Sequence, residues 1–294
     1  MTPSTHNINL SKYLARIGYR NKPALDLKTL RDILTQHIRT LPFENVTSFL
    51  GSPVNIEMAA IEQKLVSQKR GGYCFEQNAL LRAGLQQIGF AVTGLAARVL
   101  WQTPPGHQPA QSHMILLVKV GQVPYLVDAG FGSNTLTAPL RLDVSGPQST
   151  PHGTYRLTQS GEDYLLEVKV HDAWHSMYSF DLRPRTAGDY KIANWFCSTH
   201  PESRFVEHLI ATRAFPEGRH ALLDRQLSYQ PITGAKTVIM LANVEELRKT
   251  LLSIFGIEVP EDISSFERLA GLFENGSSQK VAEHAAVNTD RVAS

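Results

Sequence analysis

The spacing of apolar residues changes near Gly89, and that change is the strongest constraint on how this chain can fold. Before it, apolar residues recur at helical intervals over residues 10–17, 27–41 and 58–66. They do so again from Cys74 through Phe75, Leu80, Leu81, Leu85 and Ile88, where Gly89 supplies a stop. After it, strand-like runs take over at 92–100, 114–120, 125–128, 155–158, 164–170 and 174–180. Glycine, proline and serine punctuate these runs, most heavily at 103–111 and 145–153. Residues 191–275 mix the two kinds: helices are expected near 203–209, 244–255 and 264–273, and strands around 221–229 and 236–240. Helices first and strands afterwards indicate an α+β fold, and 294 residues are too many for one small core. The expected units are 1–90, 91–190 and 191–275, followed by a polar, alanine-containing tail at 276–294 that reads as flexible.

The run Arg70-Gly71-Gly72-Tyr73-Cys74-Phe75-Glu76-Gln77-Asn78 joins loop chemistry to the last helical pattern of the first unit. Gly71 and Gly72 permit a sharp, sterically open approach. Cys74 then falls in the first turn of a helix, where unpaired backbone N–H groups and the positive end of the dipole favour a thiolate. A thiolate is the nucleophilic form and suits covalent catalysis. For an isolated cysteine the plainer alternative is a small buried thiol. The assignment therefore depends on what else the chain supplies.

A thiolate nucleophile needs a base, and the base needs an orienting group. Residues 112–120 read as a mostly buried strand beginning at His113, and 123–132 as a second strand ending in Asp128 and a glycine-rich loop. If Gly121-Gln122 is a two-residue turn, Val120 pairs with Val123, Ile115 with Asp128 and His113 with Gly130. His113 and Asp128 then become diagonal neighbours on one face, a gap that two side chains bridge. A three-residue turn would put them on opposite faces. Alone, His113 reads as a structural or surface histidine and Asp128 as a strand terminator. Together with Cys74 they form an ordered Cys, His, Asp set.

These segments resemble the arylamine N-acetyltransferase family. The resemblance is carried by Arg70-Gly71-Gly72-Tyr73-Cys74-Phe75-Glu76, by Ser112-His113 and by Val127-Asp128-Ala129-Gly130-Phe131-Gly132. Upstream it includes Tyr13-Leu14-Ala15-Arg16-Ile17-Gly18-Tyr19 and Pro42-Phe43-Glu44-Asn45-Val46; downstream, Asn194-Trp195 and Ser198-Thr199-His200-Pro201-Glu202-Ser203-Arg204-Phe205. One departure is Ala129, where the family commonly carries valine or isoleucine. The resemblance implies a helical bundle bearing the nucleophile (1–90), a β-barrel bearing the histidine and acid (91–190) and an α/β lid (191–275), with Cys74, His113 and Asp128 in a papain-like arrangement. It implies acetyl-CoA as donor and a ping-pong cycle: Cys74 takes the acetyl group, and an arylamine, arylhydrazine or hydrazine then removes it. In that setting Gly130, Gly132 and Ser133 are candidate coenzyme contacts, because glycines let the backbone approach a pantetheine or phosphate group. Without the resemblance the same residues read as a plain strand-ending loop. Phe43 and Phe131 are candidates for an aromatic wall against a flat amine, with core packing as the alternative. Arg16, Glu44 and Arg70 are implied to form a buried ion-pair network supporting the cysteine loop, with a surface pairing of little worth as the alternative.

Composition narrows the remaining classes. A net charge of +2 leaves no concentrated basic footprint for nucleic acid. No stretch approaches 18 uninterrupted apolar residues, which argues against a membrane span, and no signal-peptide pattern opens the chain. Two cysteines, Cys74 and Cys197, make no disulfide framework and suit a reducing, cytoplasmic compartment. Cys197 with His200, and His171 with His175, lack a second pair at zinc-binding spacing, so no metal is expected. The competing functions are a thiol hydrolase or transglutaminase-like enzyme using the same triad on peptides, and a silent scaffold. The intact Cys74, His113 and Asp128 count against the last.

Overall fold

The computed structural model describes residues 7–104 and 106–274; the expected tail at 276–294 lies outside the described residues. The N-terminal part is helical, with α1 (Leu10–Ile17), α2 (Leu27–Thr40), a two-residue strand β1 (Phe43–Glu44), α3 (Val46–Phe49), α4 (Met58–Glu62) and α5 (Cys74–Ile88). Side chains mark the helix starts: Asn9 accepts the N–H of Lys12 and Asp26 that of Thr29. Gly89 ends α5 in the left-handed region at φ 112, as the sequence anticipates. Helix α5 is buried on most of its faces, from Cys74 and Phe75 through Leu80, Leu81 and Leu85, so it forms the centre of this unit.

Eight antiparallel strands follow: β2 (Ala91–Val99), β3 (His113–Val120), β4 (Val123–Val127), β5 (Leu140–Arg141), β6 (Gly146–Thr150), β7 (Gly153–Ser160), β8 (Asp163–Val170) and β9 (Ala173–Phe180). They line up in the order β5-β4-β3-β2-β9-β8-β7-β6. The Gln148 amide of β6 accepts from the Arg141 N–H at 2.8 Å and donates to its carbonyl at 2.9 Å, so a side chain links the two ends of the order into a nearly closed barrel. Leu95, Ile115, Leu126, Leu166 and Tyr178 fill its interior. Strand β6 is a departure from expectation. Gly-Pro-Gln-Ser-Thr lacks apolar alternation and reads as a loop, yet at the end of the order Pro147 costs no ladder bond.

The last part contains α6 (Ala187–Thr199), α7 (Arg204–Glu207), β10 (Ile210–Phe215), β11 (Gly218–Leu223), β12 (Gln226–Pro231), β13 (Thr237–Met240), α8 (Val244–Thr250) and α9 (Ile263–Ala270). Here the expected boundaries need correction. The division at 190/191 falls inside α6, whose start is set by a Thr186–Asp189 capping box upstream of it. Tyr190 and Cys197 of that helix pack into the helical core. The single strand expected over 221–229 is a hairpin, split where Asp224 turns at φ 54.

Five strands form the second sheet, in the order β1-β10-β11-β12-β13. Its first strand comes from the helical part: Phe43 pairs with Thr212 and Glu44 with Ala211, and Phe43 also bridges to Gly72 beside the cysteine. Val46 and Phe49 sink into the core of the same sheet, against Leu209, Leu222, Leu247 and Phe255. Residues 43–49 therefore tie the last unit directly to the cysteine loop.

Candidate active site

Cys74 opens α5, as the sequence reading requires, and is 2 % exposed. The Glu76 carboxylate accepts the Tyr73 N–H at 3.1 Å, which sets the helix start. The Cys74 thiol points at the Ser112 carbonyl, 3.9 Å away, one residue before His113.

The hairpin has the register that a two-residue turn demands, from Val120↔Val123 to Leu116↔Val127. It brings His113 Nε2 within 2.7 Å of Asp128 Oδ2 in a site where the acid is wholly buried. With Nε2 held by the acid, Nδ1 is the nitrogen left for the sulfur. Asp128 Oδ1 accepts from Gly130 N–H at 2.8 Å and from Asn78 Nδ2 at 3.0 Å. Asn78 also donates to Met114 O at 2.7 Å and accepts from Ala129 N–H at 2.9 Å. It stands four residues after Cys74, on the same helix face, and so locks the nucleophile's helix to both strands that carry its partners.

Charge and burial oppose one another throughout the site. Burial pulls His113 down, but the adjacent Asp128 carboxylate, helped by Cys74, outweighs it and the imidazole is pushed up to about 10. Burial likewise resists ionisation of Asp128, yet His113, Asn78 and Gly130 hold its carboxyl below the ordinary range. On Cys74 burial is the largest influence and raises the thiol, while the hydrogen bond and charge of His113 pull against it. The helix start does not offset burial at this sulfur, and His113 is the neighbour that favours its thiolate. Tyr178 of β9 packs 5.3 Å from the His113 ring, and its phenol is driven well upward by burial and then by Asp128.

The network beneath the cysteine loop differs in membership from expectation. Glu44 and Arg70 do pair, at 3.4 Å, but the centre is Lys64, which reaches Glu76 at 2.8 Å and Glu44 at 3.5 Å. Lys64 is carried inward by a π-helical turn, Gln63–Ser67, that continues α4. Burial opposes the Glu44 charge, but Lys64 and Arg70 hold its carboxyl low; burial prevails at Glu76 and raises it. Arg16 does not join these acids. It donates to Leu65 O at 3.1 Å and Lys69 O at 2.9 Å, bracing the loop through its backbone. A second relay runs from Tyr13 O–H to His37 Nδ1 and from His37 Nε2 to Gln77 Oε1, each 2.8 Å. Gln77 then donates to Pro42 O at 2.8 Å and Gly72 O at 3.1 Å.

Among the expected coenzyme contacts, Gly130 lies against the acid and the cysteine. Its N–H serves Asp128, and a methyl there would sit 2.5 Å from the Cys74 Cα. Gly132 and Ser133 line a cleft with Phe43, Thr212 and Arg219, and Arg219 Nη1 donates to Ser133 O at 2.6 Å. Phe131 stands edge-on to His113 with ring centroids 5.4 Å apart. Phe43 lies beside Gly132 and tilts against Phe205, which also meets Tyr73. Sequence reasoning missed Asn78, Gln77, Lys64, His37 and Tyr178. The first two were open to it through their helical offset from Cys74; the others depend on long-range packing.

Among the described residues no group of three or more His, Cys, Asp or Glu side chains is placed to hold a metal ion. No helix among them is long and apolar enough to cross a membrane.

The profile of a family described as N-acetyltransferase matches residues 26–264. An arylamine N-acetyltransferase of Mycolicibacterium smegmatis is 39% identical over 256 residues, covering 86% of this chain and 93% of that protein. One from Escherichia coli is 41% identical over 209 residues, covering 71% of this chain and 74% of its own. Among solved structures, a Mycobacterium smegmatis N-arylamine acetyltransferase variant superposes with a TM-score of 0.87 at 36% identity, covering 91% of this chain and 100% of that one. The Mycobacterium marinum arylamine N-acetyltransferase in complex with CoA superposes with a TM-score of 0.86 at 37% identity, covering 90% and 99%.

Proposed function

The chain belongs to the arylamine N-acetyltransferase family, and from that premise we propose that Cys74, His113 and Asp128 transfer an acetyl group through an acetyl-cysteine. The protein is an acyltransferase that N-acetylates arylamines with acetyl-CoA as donor. The observation that carries the residue assignment is the buried 2.7 Å contact between His113 and Asp128 beside the Cys74 thiol.

In the first half-reaction the Cys74 sulfur attacks the thioester carbonyl, a carbon–sulfur bond forms, and the coenzyme thiolate leaves with a proton from His113. In the second, the amine nitrogen attacks the acetyl-cysteine, His113 takes the amine proton, and Cys74 is released as thiolate. Asp128 stabilises the imidazolium in both. Gly132 and Ser133 are assigned to the coenzyme, and Phe43 and Phe131 to the flat face of the amine. Arylhydrazines and hydrazine are included as acceptors because they present an equally nucleophilic nitrogen. Residues 1–90, 91–185 and 186–274 serve as nucleophile-bearing, acid–base-bearing and lid units. The two unpaired thiols support a cytoplasmic setting.

Initial rates measured over a grid of acetyl-CoA and arylamine concentrations test the cycle. Parallel double-reciprocal lines are expected. Intersecting lines would overturn the acetyl-cysteine route, and peptide cleavage without donor would favour the thiol-hydrolase reading.

A further inference from the structure

Cys197 is the second free thiol among the described residues, and α6 delivers it to the same atom that the nucleophile uses. Cys74 Sγ lies 3.9 Å from the Ser112 carbonyl oxygen and Cys197 Sγ lies 3.8 Å from it. Two thiols that donate to one oxygen are neighbours. The arrangement is braced on both sides: Tyr73, adjacent to Cys74, donates its hydroxyl to Asn194 of α6, Asn194 donates to Val54 O at 2.8 Å, and Ser203 Oγ donates to the Cys197 carbonyl at 2.6 Å. The acetyl-transfer cycle makes no use of Cys197.

We propose that Cys197 is a resolving thiol for Cys74: once a hydroperoxide has oxidised the nucleophile, Cys197 closes on it to form an intramolecular disulfide that halts transfer reversibly. The inference rests on Cys74 being the reactive thiol of the proposed cycle. The Cys74 thiolate attacks the peroxide oxygen, an S–O bond forms, the O–O bond breaks, and the departing oxygen leaves as water or an alcohol after taking a proton. The Cys197 sulfur then attacks the sulfenic sulfur. An S–S bond forms, the S–O bond breaks, and the oxygen leaves as water with the Cys197 proton. Together the two sulfurs lose two electrons, and the peroxide gains them. A thiol reductant restores both thiols.

The asymmetry of the pair suits the roles. Burial raises both thiols, but at Cys74 the hydrogen bond and charge of His113 pull against it, whereas Cys197 has no such counterweight and is pushed up to about 12. Cys197 therefore ignores the oxidant itself and reacts only with a sulfenic acid presented next to it. The two sulfurs have to leave the shared carbonyl and close to a bond of about 2.05 Å.

The test treats the full, reduced chain with a small excess of hydrogen peroxide, blocks remaining thiols, and reads intact mass and peptide linkage. The expected result is a loss of about 2 Da with Cys74 and Cys197 peptides joined, and activity restored by a thiol reductant. In Cys197→Ala the same exposure should carry Cys74 on to sulfinic and sulfonic acids, with about tenfold less activity recovered by reductant. Cys197→Ser keeps a donor for the Ser112 carbonyl and should behave like the alanine variant if folding of the latter suffers. Absence of the linked peptide, with Cys74 over-oxidised as fast in the native chain as in either variant, overturns the proposal. A parallel aliquot loaded with acetyl-CoA before oxidation reports the nucleophile separately. If it acetylates normally while no linkage forms, the redox pairing fails and the transfer mechanism stands.

Discussion

In the proposed mechanism Asp128 reaches the sulfur only through His113, and its two oxygens hold different partners. One holds the imidazole at 2.7 Å, and the other is anchored by Gly130 and Asn78. Asp128→Asn preserves the shape but removes the charge that lifts His113, so the imidazole gives up its proton more readily and the thiolate loses its neighbouring cation. Alkylation of Cys74 by iodoacetamide, followed against pH, should then show its midpoint displaced upward, and acetyl transfer should fall by about four orders of magnitude, as in the serine triad. An unchanged midpoint would detach Asp128 from the chemistry. Burial raises Cys74 while His113 lowers it, so this residue pair, rather than the helix dipole alone, decides how much thiolate is present.

At the scale of elements, the hairpin was the most legible part of the site. Gly121-Gln122 admits a two-residue turn, and the turn alone fixes which residues face each other from Val120↔Val123 outward. The start of α5 was equally legible, because a glycine-rich loop meets a helical stripe there. By contrast β1, two residues long, has no periodicity to read; it exists because β10 supplies its partner. The ion-pair cluster under the loop was half legible. Glu44 and Arg70 do pair, whereas Lys64, which reaches both acids, sits in a π-helical turn after α4 that no spacing rule announces. Charge alone would send Arg16 to the acids, although backbone carbonyls hold it. Lys64→Met keeps the apolar stem but leaves Glu44 and Glu76 buried without their shared cation. It should cost about 3–5 kcal/mol in urea-induced unfolding and weaken acetyl loading through the cysteine loop. A loss below about 1 kcal/mol would make the cluster equivalent to a surface pair.

For the whole molecule, the three units are interlocked rather than strung together. Residues 43–49 belong to the five-stranded sheet and its core while sitting beside the cysteine loop, and α6, from the C-terminal part, packs into the helical core. The sequence divides the units by pattern, but packing redistributes these two segments because each buries its apolar face elsewhere. The buried Tyr13–His37–Gln77 relay joins α1, α2 and α5, and it gives overall stability a pH dependence. Burial lowers His37 to about 4 in the folded chain, against about 6.5 when unfolded. Between those values the unfolded chain binds a proton that the folded chain refuses, so stability rises with pH across that window by about 3 kcal/mol from this residue. The difference in unfolding free energy between the native chain and His37→Gln should change by that amount between pH 4 and 6.5; a constant difference would contradict the assignment. One covalent step, the loading of Cys74, decides the whole mechanism. Brief incubation with acetyl-CoA, with no amine present and the thiol confirmed reduced, should add one acetyl group to the native chain, none to Cys74→Ala, and an arylamine should then discharge it. A folded native chain that stays unmodified in that mass spectrum, or a Cys74→Ala variant that acquires the same acetyl group, would contradict it.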